Sequence, residues 1–114
     1  MDYPFDLRSE LSEIDFVLKT QRQIIKDFGT AGIDFPEDLQ RNALPVDQLL
    51  FEISLRLKVL DSTNSSAFSQ LLYQIDLPEN ILPALNETDD FYMNLAEVVL
   101  KREAYKVFLR NKYS

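Results

Sequence analysis

Two glycines in 114 residues, Gly29 and Gly32, constrain this chain more than any other feature. Average glycine usage is roughly 7%, and a chain built on hairpins spends it on tight turns that need positive φ. With both glycines in one stretch, a succession of such turns is out of reach, and helices are predicted. Leu and the long straight side chains that keep rotamer freedom in a helix outnumber Val, Ile and Thr, in the same direction. Hydrophobic residues reach 46%, enough apolar surface to offset the entropy of ordering the chain, and the length suits one domain over residues 1–114.

Hydrophobic spacing places the helices. From Asp6 to Phe28, Leu7, Leu11, Ile14, Leu18, Ile25 and Phe28 step by threes and fours with Gln21 interrupting the seam. This predicts a first helix of about 33 Å that Gly29 stops, with Val17 and Ile24 widening its stripe. Gln21 marks either a polar contact that fixes register or a face drifting off the core. Residues 29–45 hold both glycines and two prolines and form the longest connection, pinned by Ile33, Phe35, Leu39 and Leu44, with a short helical turn starting at Pro36.

A second helix is predicted from Pro45 to about Leu60, with Val46, Leu49, Leu50, Ile53, Leu57 and Leu60 in its main stripe and Phe51, Leu55 and Val59 in another behind it. Residues 61–66, DSTNSS, end it and cap a third helix over Ser65 to Ile75, whose narrow apolar face is Phe68, Leu71, Leu72 and Ile75. Pro78 opens a short segment that Pro83 should break or kink. The last helix is predicted from Asp89 to Lys112, capped by Thr88 or Asp89, with Phe91, Leu95, Val98, Tyr105 and Leu109 on one face and Ala96, Leu100 and Val107 nearly opposite. The fold class that follows is all-α: a bundle of four main helices with a short Pro-interrupted segment before the last.

The chain has no His and no Cys, so it lacks the commonest general base, the thiol nucleophile and the softer metal ligands. No EF-hand or Gly-rich phosphate loop is present. Carboxylates remain, densest at Glu10 and Glu13 and at Asp76, Glu79, Glu87, Asp89 and Asp90, and these read as solvated faces and helix N-termini. The expectation is a protein that is not an enzyme, with no catalytic residue, cofactor or metal. The first residues lack the basic start and apolar run of a signal peptide, and no stretch of eighteen apolar residues occurs, so a cytoplasmic location without a membrane span is expected. Asn64-Ser-Ser and Asn86-Glu-Thr match the glycosylation sequon and are read instead as capping loops.

Two surfaces are candidates for contact with another macromolecule. The net charge is −7, yet residues 91–114 carry +3 and the first ninety −10. Arg102, Lys106 and Arg110 repeat at i, i+4 and i+8, a like-charge row that an acidic neighbour would relieve, either the chain's own acidic body or an anionic partner such as nucleic acid. Against the net charge, nucleic acid is the lesser reading. The other surface is Ala96, Leu100 and Val107 with Tyr92 beside them: a helix apolar on two sides is either central or shared. The leading expectation is therefore a non-enzymatic protein–protein interaction or structural module, a homodimer or larger assembly in which the last helix takes part. The alternative is a small regulator binding an anionic partner through the basic row.

Overall fold

The computed structural model describes residues 13–77, 80–86 and 89–113, and among them there are helices and no strands. In chain order these are α1 (Ile14–Thr30), a 3-10 turn (Glu37–Gln40), α2 (Val46–Thr63), α3 (Ser65–Ile75), α4 (Ile81–Asn86) and α5 (Phe91–Tyr113). Four long helices and one short one form the expected all-α bundle. No helix among the described residues is long and apolar enough to cross a membrane.

The first helix differs from its prediction at both ends and on its buried side. Glu13 is extended, with φ −86° and ψ 114°, so α1 starts at Ile14; the predicted stretch before Glu13 lies outside the described residues. At the other end Gly29 is passed, and the helix closes where Gly32 takes φ 80°. There the amide of Gly32 reaches the carbonyl of Gly29 and that of Ile33 the carbonyl of Phe28, the paired bonds of a Schellman closure. Ile14 is exposed, and the side turned inward is Phe16, Val17, Ile24 and Phe28 with Thr20, Gln21, Gln23 and Asp27 among them. Counting apolar positions alone misplaced that face, because four of its residues are polar.

Gln21 is a polar contact that fixes the connection. Its amide nitrogen donates to the carbonyls of Leu39 (2.9 Å) and Asn42 (3.0 Å), and its oxygen accepts from the amide of Leu44 (2.8 Å). The 3-10 turn after Pro36 thus hangs on the middle of α1. Arg22 donates to the carbonyl of Gln40, Arg56 donates to that of Asp34 and lies over the Phe35 ring, and Phe35 meets Phe28 edge to face.

Helices α2 and α3 follow the sequence closely. Leu49, Ile53, Leu57 and Leu60 of α2 and Phe68, Leu71, Leu72 and Ile75 of α3 are all buried. Asn64 separates the two helices and caps the second through its side-chain oxygen, which accepts from Ala67. The capping role expected for residues 86–88 lies partly outside the described residues. Pro83 sits in the first turn of α4, where an N–H has no intrahelical partner to lose, and the helix runs on through it, while Pro78, expected to open the segment, lies outside the described residues.

The last helix is the axis of the bundle: α5 packs against α1, α2, α3 and α4. Leu95, Ala96, Val99, Leu100, Glu103, Ala104 and Val107 are all sealed from solvent. The face read from the sequence as a second one is therefore the core face, and Phe91, Tyr105 and Leu109 are the half-buried flank.

Candidate functional site

Of the residues that the sequence offered for partner contact, Ala96, Leu100 and Val107 are at most 1% exposed within the single chain. They are spent on the core, which corrects the expectation that the last helix must share this line with a second molecule. Four neighbours enclose α5 because the short α4 adds to α1, α2 and α3 a cover that a plain four-helix bundle lacks. Tyr92 is half-buried and donates to Asp61 at 2.7 Å; this hydrogen bond, with burial and the charge of Asp61, raises the phenol above its ordinary range.

The basic row is also divided up. Arg102 pairs with Asp76 at 3.1 Å, and its guanidinium lies 5.7 Å from the Tyr105 ring centre. Asp76 is the residue after α3, in the left-handed region at φ 66°, a conformation that Asp tolerates better than most side chains. Lys106 turns inward to Asp27 (3.2 Å) and Glu103 (3.0 Å). Arg110 donates to the side-chain oxygen of Gln23. Two of the three cations are thus met by carboxylates of their own chain.

Lys106 ends in a buried polar knot between α1 and α5 that sequence reasoning missed. Gln23 donates to both oxygens of Asp27 at 3.2 Å, and Lys106 donates to one of them. Glu103 is fully buried, with its Oε1 3.0 Å from the ammonium of Lys106. Burial, followed by the hydrogen bond and charge of Asp27, pushes the Glu103 carboxyl up to about 8 against the pull of Lys106. Burial also acts to raise Asp27, but hydrogen bonds to Glu103 and Gln23 and the ammonium of Lys106 outweigh it and hold Asp27 below its usual range. The knot thus favours the protonated form of Glu103 beside an ionised Asp27 and the ammonium of Lys106. A signal for it existed: Glu103 stands at i+3 from Leu100 and i−4 from Val107, inside the buried stripe.

One apolar stripe stays open among the described residues. Phe51, Leu55 and Val59 on α2 are 54%, 43% and 54% exposed and follow each other at i, i+4 and i+8. The connection after α1 runs beside them and leaves two shallow grooves. One, of about 460 Å³, lies between Phe51 and the side chains of Pro36, Leu39 and Leu44, with Asp38, Asp47 and Glu52 around it. The other, of about 340 Å³, borders Leu55 and Val59 next to Ile33. No His or Cys exists to equip either groove with the usual nucleophile or base. Among the described residues no group of three or more Asp or Glu is placed to hold a metal ion. Compared with known proteins, the chain matches no family model, no curated protein and no solved structure.

Proposed function

We propose that this chain is a non-catalytic, cytoplasmic protein–protein interaction module that self-associates through the open face of α2. The observation that carries the reading is the exposed stripe of Phe51, Leu55 and Val59, while the other long apolar faces among the described residues are closed. A continuous row of large apolar side chains in water is characteristic of an interaction surface.

The charges beside the stripe favour a second copy, set antiparallel. When positions advance by ~100° each, Asp47 and Lys58 flank the stripe on one side and Glu52 and Arg56 on the other. A two-fold axis through Leu55 brings Phe51 against Val59 of the second copy and keeps each flank on its own side. Lys58 then faces Asp47 of the second copy, about 7.5 Å further along the axis at 1.5 Å per residue and within reach of a lysine stem. Arg56 faces Glu52 of the second copy. A parallel pairing exchanges the flanks and brings Arg56 against Lys58, like against like.

Sedimentation or light scattering on the purified protein tests this. A dimer is expected in the micromolar range, converted to monomer by Leu55→Glu. Lys58→Glu and Asp47→Lys should each weaken it, and the two together should restore it. A monomer at all concentrations up to a few hundred micromolar would remove the proposal, and a dimer indifferent to Leu55→Glu would move the interface elsewhere.

A further inference from the structure

Independently of the α2 face, α1 and α5 build an electropositive depression. Lys19, Arg22 and Lys26 occupy one side of α1 at i, i+3 and i+7, and Arg110 reaches in from α5. With Gln23 between them they line a shallow hollow of about 390 Å³ that has no carboxylate in its wall. Elsewhere the described cations mostly face acids: Arg41 with Glu37, Arg56 with Glu52, Lys101 with Glu97, Arg102 with Asp76, Lys106 with Asp27. Arg22, Lys26 and Arg110 have no such pair among the described residues, and Lys19 meets Asp15 at the rim, at 3.4 Å. Gathering cations in one place is unfavourable without a counter-anion, and among the described residues only Asp15, at the rim, supplies one.

Two of these cations are held in place. Gln23, only 8% exposed, is anchored to Asp27 by its amide nitrogen and holds Arg110 with its oxygen. Arg22 is fixed by its Nε on the carbonyl of Gln40 at 2.9 Å. Each guanidinium keeps its other N–H groups for a ligand, in the planar fork that matches phosphate oxygens. We propose that this depression binds a compact ligand bearing two or more phosphate groups, with Arg22 and Arg110 as forks and Lys19 and Lys26 as point charges. The small hollow and the negative charge of the rest of the chain favour such a ligand over an extended nucleic acid, which would run from four cations onto repelling surface. Of the basic row in the sequence, only Arg110 belongs to this site.

Inorganic tripolyphosphate is the probe, titrated calorimetrically into the full chain at low salt, with thermal unfolding in parallel. Binding should raise the melting temperature and weaken steadily with added salt. Lys26→Gln and Arg110→Gln should each lower affinity about tenfold, while Lys101→Gln, the same charge change outside the hollow, should leave it within about twofold. No binding at millimolar tripolyphosphate would overturn the site. Equal loss from Lys101→Gln would reduce it to net charge, and tighter binding of a single-stranded oligonucleotide of equal charge would give the hollow to nucleic acid instead. None of these readouts depends on whether the α2 face dimerises.

Discussion

Helices α2 and α5 share a sequence signature, apolar residues on two opposite sides, and the fold treats them in opposite ways. Around α5 four helices close both sides, so Ala96, Leu100 and Val107 are core and even a carboxylic acid, Glu103, is sealed among them. Around α2 the main stripe is closed by α3 and α5, but the connection after α1 passes beside the second stripe without covering it. The lesson is one of enclosure: two apolar faces show that a helix needs neighbours on both sides, and only the packing decides whether the chain itself supplies them.

The largest effect that can break this contrast is expected at Leu100. A charge at a position 1% exposed has no route to water and no partner, so Leu100→Glu should cost about 4 kcal/mol or more and leave the protein largely unfolded. Urea titration followed by circular dichroism reads it. A folded variant that merely loses a dimer would return α5 to the surface and undo the contrast.

Next is Gln21, which holds the strand of chain that borders the open face. Gln21→Ala frees the carbonyls of Leu39 and Asn42 and the amide of Leu44 together, a loss of roughly 2 to 4 kcal/mol when buried polar groups are left unbonded. Faster hydrogen exchange at the Leu44 amide should accompany it. A cost below about 1 kcal/mol would mean that water takes over these bonds and that the loop stands on its apolar pins alone.

How far the sequence carried the fold depended on what filled each seam. On α2 and α3 the buried positions are apolar except for Ser54, so periodicity located Leu49, Ile53, Leu57 and Leu60, then Phe68, Leu71, Leu72 and Ile75, while Val46 and Leu50 of the same α2 stripe are only half-buried. On α1 half the buried face is polar, and its satisfaction by Leu39, Asn42, Leu44 and Lys106 is a tertiary fact that no local pattern holds. The same applies to the sites. The basic spacing on α5 was legible, but that Arg102 and Lys106 face Asp76 and Asp27 while Arg110 joins cations of α1 depends on how two helices meet, 79 residues apart in the case of Lys106 and Asp27. The stripe of Phe51, Leu55 and Val59 was visible as a second apolar line; that it is the open one was not.

A smaller effect concerns what enclosure does to Glu103. Its folded carboxyl titrates near 8 against an ordinary 4.5, so the folded state holds a proton that the unfolded chain releases between those values, and stability should fall as pH rises through that window. Asp27 acts with the opposite sign: its depressed carboxyl stabilises the fold above its ordinary 3.8 and loses that contribution as pH falls below it. Glu103→Gln keeps a neutral donor toward Asp27 and an acceptor for Lys106 while removing the titration. The variant should show a flatter profile and exceed the parent by at least about 1 kcal/mol at pH 9. Identical pH profiles for both proteins would show that Glu103 is ionised, and hydrated, inside the bundle.

The smallest effect on the fold, and the other half of the comparison, belongs to Leu55. At 43% exposure it gives up little apolar contact within its own chain, so Leu55→Ser should change the stability of the isolated protomer by no more than about 0.5 kcal/mol, the range for surface substitutions. Self-association should nevertheless disappear with it, and concentration separates the two effects. A dimer is stabilised by mass action, so the melting temperature of the parent should climb from submicromolar to hundred-micromolar protein, while that of Leu55→Ser should stay flat and meet the parent's at the dilute end. Divergence at the dilute end, with the variant weaker by 2 kcal/mol or more, would mean that the chain itself covers Leu55 and that α2 is as closed as α5. Parallel curves at every concentration would leave the stripe exposed but idle.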